Sequence, residues 1–325
     1  MQRSRLAVVL AAAAGLAALG AAAQTVPVEA GIPAYSVASG VSGNLNSIGS
    51  DTLNNVMTMW AEGFRSKYPN VKVQIEGKGS STAPPALIDG TAQLGPMSRE
   101  MKPTELDAFE KKFGYKPTAY RVAVDALAVW VNKDNPLPKA TLPQLDAIFS
   151  KTRRCGAPAA IDEWSQLGLT GVYQGRRISL YGRNSASGTY GYFKEHALCN
   201  GDYRDEVKEQ PGSASVVQGV TADPFGIGYS GMGYRTSGVK SLDLAKAEGQ
   251  PYAKAEAGDV YAGRYPLARF LYVYVNQKPG QAPDPLVREF LRFVLSRSGQ
   301  EIVVKDGFLP ITKTIDDEER KKLGS

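Results

Sequence analysis

Arg183-Asn184-Ser185-Ala186-Ser187-Gly188-Thr189 follows a predicted strand at 177–181 and opens a predicted helix. A helix start leaves backbone N–H groups without internal partners and carries partial positive charge, so a strand-turn-helix step of this kind seats an oxyanion without a metal. Gly188 lets the backbone come close, and the Ser187 and Thr189 hydroxyls add donors. Arg183, four residues before Ser187, can lay a guanidinium fork on the same anion. The plan occurs twice more upstream. Gly49-Ser50-Asp51-Thr52 precedes Leu53, Val56, Met57, Trp60 and Phe64 at helical spacing. Gly79-Ser80-Ser81-Thr82 follows the alternating Val71, Val73 and Ile75 and precedes a short predicted helix at 83–88, with Pro84 or Pro85 in its first turn. Taken singly, each Ser/Thr segment reads as a helix cap, the commoner use of such residues. Three of them with an arginine, in a chain without a cluster of catalytic residues, favour an anion site.

The elements around these turns alternate. A strand at 93–97 leads to Ser98-Arg99-Glu100 and a helix at 103–112; 120–131 is a Val- and Ala-rich buried strand; 142–149 is a helix; 265–276 is a strongly apolar strand. Asp284 and Pro285 cap a last helix that places Leu286, Phe290, Phe293 and Val294 on one face and stops at Gly299. Strands alternating with helices predict an α/β fold, each domain a central β-sheet flanked by helices. The two buried runs are the natural crossings between domains. This gives a discontinuous first lobe, 44–123 with 268–325, and a second lobe, 124–267. Gly226-Ile227-Gly228-Tyr229-Ser230-Gly231 has the glycine spacing of a dinucleotide loop, but no amphipathic helix follows it, so it reads as a strand or turn near the cleft.

The first residues read as a secretory signal peptide, 1–23: Arg3 and Arg5 precede an apolar run, and Ala21-Ala22-Ala23 offers small residues for cleavage. That run is short and broken by Gly15 and Gly20, which argues against a membrane span. Residues 24–43 read as a loose leader segment. The formal charge of +6 becomes +4 once Arg3 and Arg5 are gone, spread along the chain rather than gathered beside aromatics, so nucleic acid is a poor partner. Cys155 and Cys199, the only cysteines of an exported chain, predict a disulfide. One histidine, His196, nearly excludes a Cys/His zinc site.

Ser47-Ile48-Gly49-Ser50-Asp51-Thr52, Glu76-Gly77-Lys78-Gly79-Ser80-Ser81, Gly95-Pro96-Met97-Ser98-Arg99 and the arginine segment at 183–189 come in an order and spacing that resembles the periplasmic phosphate-binding proteins of phosphate ABC transporters, over 44–312. The resemblance implies the two-lobed periplasmic-binding-protein fold (type II), a desolvated phosphate in the interdomain cleft, delivery to an ABC permease in the inner membrane, a monomer, and no cofactor. Carried over by position, Arg183, Ser187, Gly188 and Thr189 bind the anion from one lobe and Asp51, Thr52, Ser80 and Ser98 from the other, with Ser50 and Arg99 beside them. Arg99 either adds charge near the anion or sits solvated at a helix start. In members of that family an aspartate stands where this chain has Ser98 and accepts the proton of monohydrogen phosphate; Ser185 replaces a second aspartate beside the arginine. Asp51 then reads either as the substitute acceptor or as a cap pointing at its own helix.

Two other classes compete. A secreted phosphatase-like hydrolase would need a base for a serine nucleophile, and His196 lies seven residues beyond Thr189, roughly 10 Å along a helix axis and too far from Ser187. A surface or secretion-associated protein that retains the fold is the other alternative.

Overall fold

A computed structural model describes residues 26–324, so the signal-peptide reading of 1–23 lies outside the described residues. The chain begins with β1 (Gly43–Ile48), α1 (Asn54–Arg65), β2 (Val71–Glu76), α2 (Ala83–Asp89), β3 (Gly95–Met97) and α3 (Pro103–Phe113). Then come β4 (Thr118–Asn132), β5 (Lys139–Thr141), α4 (Leu142–Phe149), β6 (Ser179–Arg183), α5 (Gly188–Ala197), β7 (Lys208–Gln210), α6 (Ser213–Ala222) and β8 (Gly226–Gly231). The last part contains β9 (Val239–Ser241), β10 (Asp243–Ala245), α7 (Ala257–Tyr261), β11 (Ala268–Val275), α8 (Pro285–Val294), α9 (Arg297–Lys305) and α10 (Lys313–Lys322).

Strand β4 organises the molecule. Its first part pairs antiparallel with β11, Thr118 opposite Val275 through Ala126 opposite Ala268, and its last part pairs with β8 and β9. The resulting mixed sheet runs β3-β11-β4-β8-β6-β7, and β1 and β2 form a separate parallel pair. Two large cores lie along this strand. One gathers Leu45, Trp60, Phe64, Val122, Leu271, Phe290 and Phe293; the other gathers Leu127, Trp130, Phe149, Phe193, Val217 and Tyr229. A strand buried on both faces reads as a continuous apolar run, which is why 120–131 lacks alternation.

Local chemistry explains the helix ends. Asp284 accepts from the N–H groups of Leu286 and Val287, with Pro285 as the first residue of α8. The single helix expected to stop at Gly299 is instead two, because Ser296 caps a new one by accepting from Gly299 N–H. Gly299 is required inside α9 for space: a Cβ there would lie 2.2 Å from the Phe293 carbonyl oxygen. Its own carbonyl takes the Trp60 indole N–H at 2.8 Å, tying α1 to α9.

The leader carries no helix or strand between 26 and 42, yet its contacts are not loose. Ile32 is fully buried in the first core, the Tyr35 ring packs edge-on to Phe293, and the Arg297 N–H bonds the Pro33 carbonyl at 2.9 Å. Apolar and aromatic side chains hold this stretch down in the absence of regular structure. Among the described residues no helix is long and apolar enough to cross a membrane.

Cys155 and Cys199 form a disulfide, with Cα atoms 5.4 Å apart, that joins the loop after α4 to the end of α5. Closing a loop of this length stabilises the fold by about 4 kcal/mol in the chain-entropy model. Replacing both cysteines by alanine is expected to lower stability by about that amount, read by denaturant titration; an unchanged midpoint would show that the bridge contributes nothing.

Candidate functional site

The three turns singled out in the sequence meet at one seam between the lobes. Asp51–Leu53 and Ser80–Thr82 are single 3-10 turns on the first lobe, and Ser187 caps α5 on the second, accepting from the N–H groups of Thr189 and Tyr190. Gly188 faces the first lobe at close range, since a Cβ there would stand 2.2 Å from Ser80 Oγ and 2.6 Å from Ser98 Oγ. Gly79 is similarly confined: its φ of +117° is a glycine conformation, and a Cβ would lie 2.5 Å from the Ala186 carbonyl oxygen. Two bonds cross the seam beside them, Ser81 N–H to Ala186 O at 3.1 Å and Thr52 Oγ1 with Thr189 Oγ1 at 3.0 Å.

Six hydroxyls, those of Ser50, Thr52, Ser80, Ser98, Ser187 and Thr189, are buried here. They bond largely to one another, Ser98 Oγ lying 3.1 Å from Ser50 Oγ and 3.3 Å from Ser80 Oγ. A hydroxyl rotor can donate or accept, so such a set reorients as a unit towards an acceptor placed among them.

Arg183 is 1% exposed. Its Nη1 donates to Ser213 Oγ at 2.7 Å and its Nη2 to the Pro211 carbonyl at 3.2 Å, while Nε is buried without a partner among the described residues. Burial pulls this guanidinium down, and the nearby Asp51 opposes the shift. Asp51 Oδ2 lies 3.1 Å from Arg183 Nη2 and accepts the Ser213 N–H at 2.9 Å. The cap of the turn at 51–53 is therefore Ser50, whose Oγ accepts from Thr52 N–H, and the Asp51 carboxylate points away from its own helix, across the seam. It rests on the N-terminus of α6, where the partial positive charge of the helix favours an anion.

Arg99, Ser185 and His196 fall at the edge of this cluster. Arg99 is not solvated: both ends of its guanidinium bond Glu105, at 2.8 and 2.7 Å, and Nη2 also reaches Ser81 Oγ. Ser185 is exposed and lines an outer groove of about 1020 Å³ between the lobes, shared with Arg99, Tyr190, Tyr192 and Tyr272. His196 also lines this groove; its Nδ1 lies 3.0 Å from the Tyr192 carbonyl and its ring stacks on Tyr192. Ser187 Oγ is occupied as a helix cap and takes no bond from the imidazole. Among the described residues no three His, Cys, Asp or Glu side chains are grouped to hold a metal ion.

Sequence reasoning missed Ser213, Asp125, Tyr234 and Arg269. Gly212-Ser213 ahead of Val216, Val217 and Val220 is a fourth helix start of the same kind, and its spacing was a usable signal. Tyr234 donates to the Asp51 and Thr52 carbonyls at 3.0 and 3.3 Å; burial first and Asp51 second push its hydroxyl well up, which keeps it a donor. Arg269 and Asp125 face each other in register on β11 and β4 and gave no local signal, since neither lies in a turn.

The PBP superfamily domain matches residues 36–298. The phosphate-binding protein PstS of Pseudomonas aeruginosa is 56% identical over 308 residues, 95% of each chain. The chain belongs to the PBP superfamily and, within it, to the PstS phosphate-binding proteins. Two solved structures share the fold. One, with bound phosphate, is a Clostridium perfringens protein assigned to phosphate ABC transport as its substrate-binding component, at TM-score 0.69 and 24% identity, covering 83% of this chain and 100% of that one. The other is an ABC-type phosphate transport receptor from Vibrio cholerae, at TM-score 0.63 and 22% identity, covering 82% and 100%. At these identities the likeness speaks for the two-lobed fold alone.

Because Gly188 has no room for a side chain at the seam, Gly188→Ala is expected to hold the lobes apart. Small-angle scattering should then give a larger radius of gyration than the parent has under the same conditions; equal radii would mean that the hydroxyls yield instead.

Proposed function

We propose that this chain captures inorganic phosphate between its lobes, 44–123 with 268–325 and 124–267, and releases it to an ABC permease, acting as a monomeric periplasmic binder rather than an enzyme. The observation that carries the reading is the Arg183 side chain, sealed from water at the meeting point of the helix starts with an N–H that no described protein atom takes. An unmet buried donor costs about 1–3 kcal/mol, and an anion oxygen removes that cost only when both lobes surround it. The names of the relatives, phosphate-binding and phosphate transport proteins, support the same ligand.

In this reading Arg183 donates its free N–H, the hydroxyls of Ser80, Ser98, Ser187 and the Thr52–Thr189 pair turn towards the anion, and the Gly188 and Thr189 backbones close on it, with Ser50 and Arg99 supporting Ser98 and Ser81. Asp51 supplies the acceptor. Its Oδ2 is held by Arg183 and Ser213 N–H, and among the described residues no donor reaches Oδ1, which is left to take the proton of monohydrogen phosphate. Sulfate has no proton to give and meets only the negative charge.

Calorimetry of the mature chain is expected to show phosphate binding that Arg183→Met weakens by roughly 100-fold or more, the scale of a lost charge-assisted bond with its partner left buried. No heat with phosphate, arsenate, molybdate, tungstate or sulfate would sink the reading. In the same assay Asp51→Asn should narrow the preference for phosphate over sulfate; if that variant still rejects sulfate as well as the parent does, Asp51 is removed from the acceptor role.

A further inference from the structure

Arg269 makes four hydrogen bonds at the seam. It stands opposite Asp125 across β11 and β4, the strands that run between the two cores. Its Nε and Nη2 bond Asp125 Oδ2 at 2.9 and 2.7 Å, and Asp125 Oδ1 is held in turn by the Met232 N–H. Both side chains are essentially sealed from solvent, and the guanidinium carbon lies 5.3 Å from the Tyr192 ring centre. The two remaining contacts go one to each lobe. Nη1 donates to the Ser98 carbonyl at 2.9 Å, and Nη2 donates to Thr189 Oγ1 at 3.0 Å.

A guanidinium has donors only. Its bond to Thr189 Oγ1 therefore fills a lone pair of that oxygen and leaves the hydroxyl proton to be given elsewhere. The other neighbour of Thr189 Oγ1 is Thr52 Oγ1 at 3.0 Å. If Thr52 donates to Thr189, the Thr189 proton is free for a third group; if Thr189 donates to Thr52, the Thr52 proton is free. Either way the pair presents one O–H outward, the polarity an anion requires. Without the guanidinium the pair keeps its one spare proton but gains an open lone pair on Thr189 Oγ1, so nothing holds the O–H rather than a lone pair towards an anion.

We propose that Arg269 is a positioning residue for anion capture: held by Asp125, it fixes the Thr189–Thr52 hydroxyl pair as a net donor at the seam between the lobes. It acts through the orientation of a bond and not through its charge, because Asp125 cancels that charge at 2.7 Å. The inference rests on the phosphate reading above and adds to it a residue outside the turns.

A double-mutant cycle with inorganic phosphate on the mature chain tests it. The paired replacement Arg269→Gln with Asp125→Asn keeps the net charge and leaves no carboxylate buried alone. It is expected to weaken phosphate binding roughly 10- to 100-fold, the range for one charge-assisted bond. Thr189→Val should cost a similar factor. Added to Thr189→Val, the paired replacement should cost less than about threefold more, since the hydroxyl it orients is already gone. Losses that multiply overturn the proposal, because a general loosening of the fold would weaken both backgrounds alike. Should the paired variant fail to fold, Arg269→Lys takes its place in the cycle: an ammonium can still meet Asp125 but does not reproduce the fork, and the same outcomes decide. A parent that gives no heat with phosphate overturns the phosphate reading and this proposal together; a parent that binds while the losses multiply overturns this proposal alone.

Discussion

The carboxylate of Asp51, lodged on Arg183 and on the N-terminus of α6, ties one lobe to the other through charge in a place with little water. A buried arginine with no counter-ion would be costly, and the neighbouring Ser185 provides none. Asp51 meets that need from the opposite lobe, so the contact that neutralises Arg183 also joins the two lobes. The hydroxyl contacts lie beside it, with Thr52 on Thr189 and Ser80 against Gly188.

Charge at the seam is balanced throughout. Arg183 faces Asp51, Arg269 faces Asp125 and Arg99 faces Glu105. The attraction for an anion therefore cannot come from a surplus of arginines. It comes from oriented dipoles: backbone N–H groups at helix starts and hydroxyls that turn their protons inward. Dipoles of this kind are worth most where the dielectric is low, and the burial of all six hydroxyls supplies that setting.

How much of this was legible in the sequence depends on how local each signal is. The turns at 49–52, 79–82 and 183–189 were readable because glycine and hydroxyl residues before an apolar period announce a helix start, and the structure places all three together. The buried character of β4 and the pairing of Cys155 with Cys199 were legible for the same reason: composition alone carries them. The orientation of Asp51 was not, since whether a carboxylate caps its own turn or crosses to another lobe is decided by tertiary packing. Asp125 and Arg269 were hidden more deeply. Each is an isolated charge in an apolar strand, and only the register of β4 against β11 makes them a pair. The break between α8 and α9 was missed because Gly299 looks like a stop signal, whereas tight packing against Phe293 explains it.

The order of the large sheet has a further consequence, for how the chain reaches this shape. Strand β11 lies between β3 and β4, although it follows both by a long stretch of chain. The first lobe cannot complete its sheet from its own N-terminal segments; β3 and β4 must wait, with their edges open, until β11 has been synthesised and inserted. Pairings so distant in sequence slow folding. The strands from β5 to β10, by contrast, are contiguous in sequence and pair only with one another and with the far half of β4, so their loops close at a smaller entropic cost.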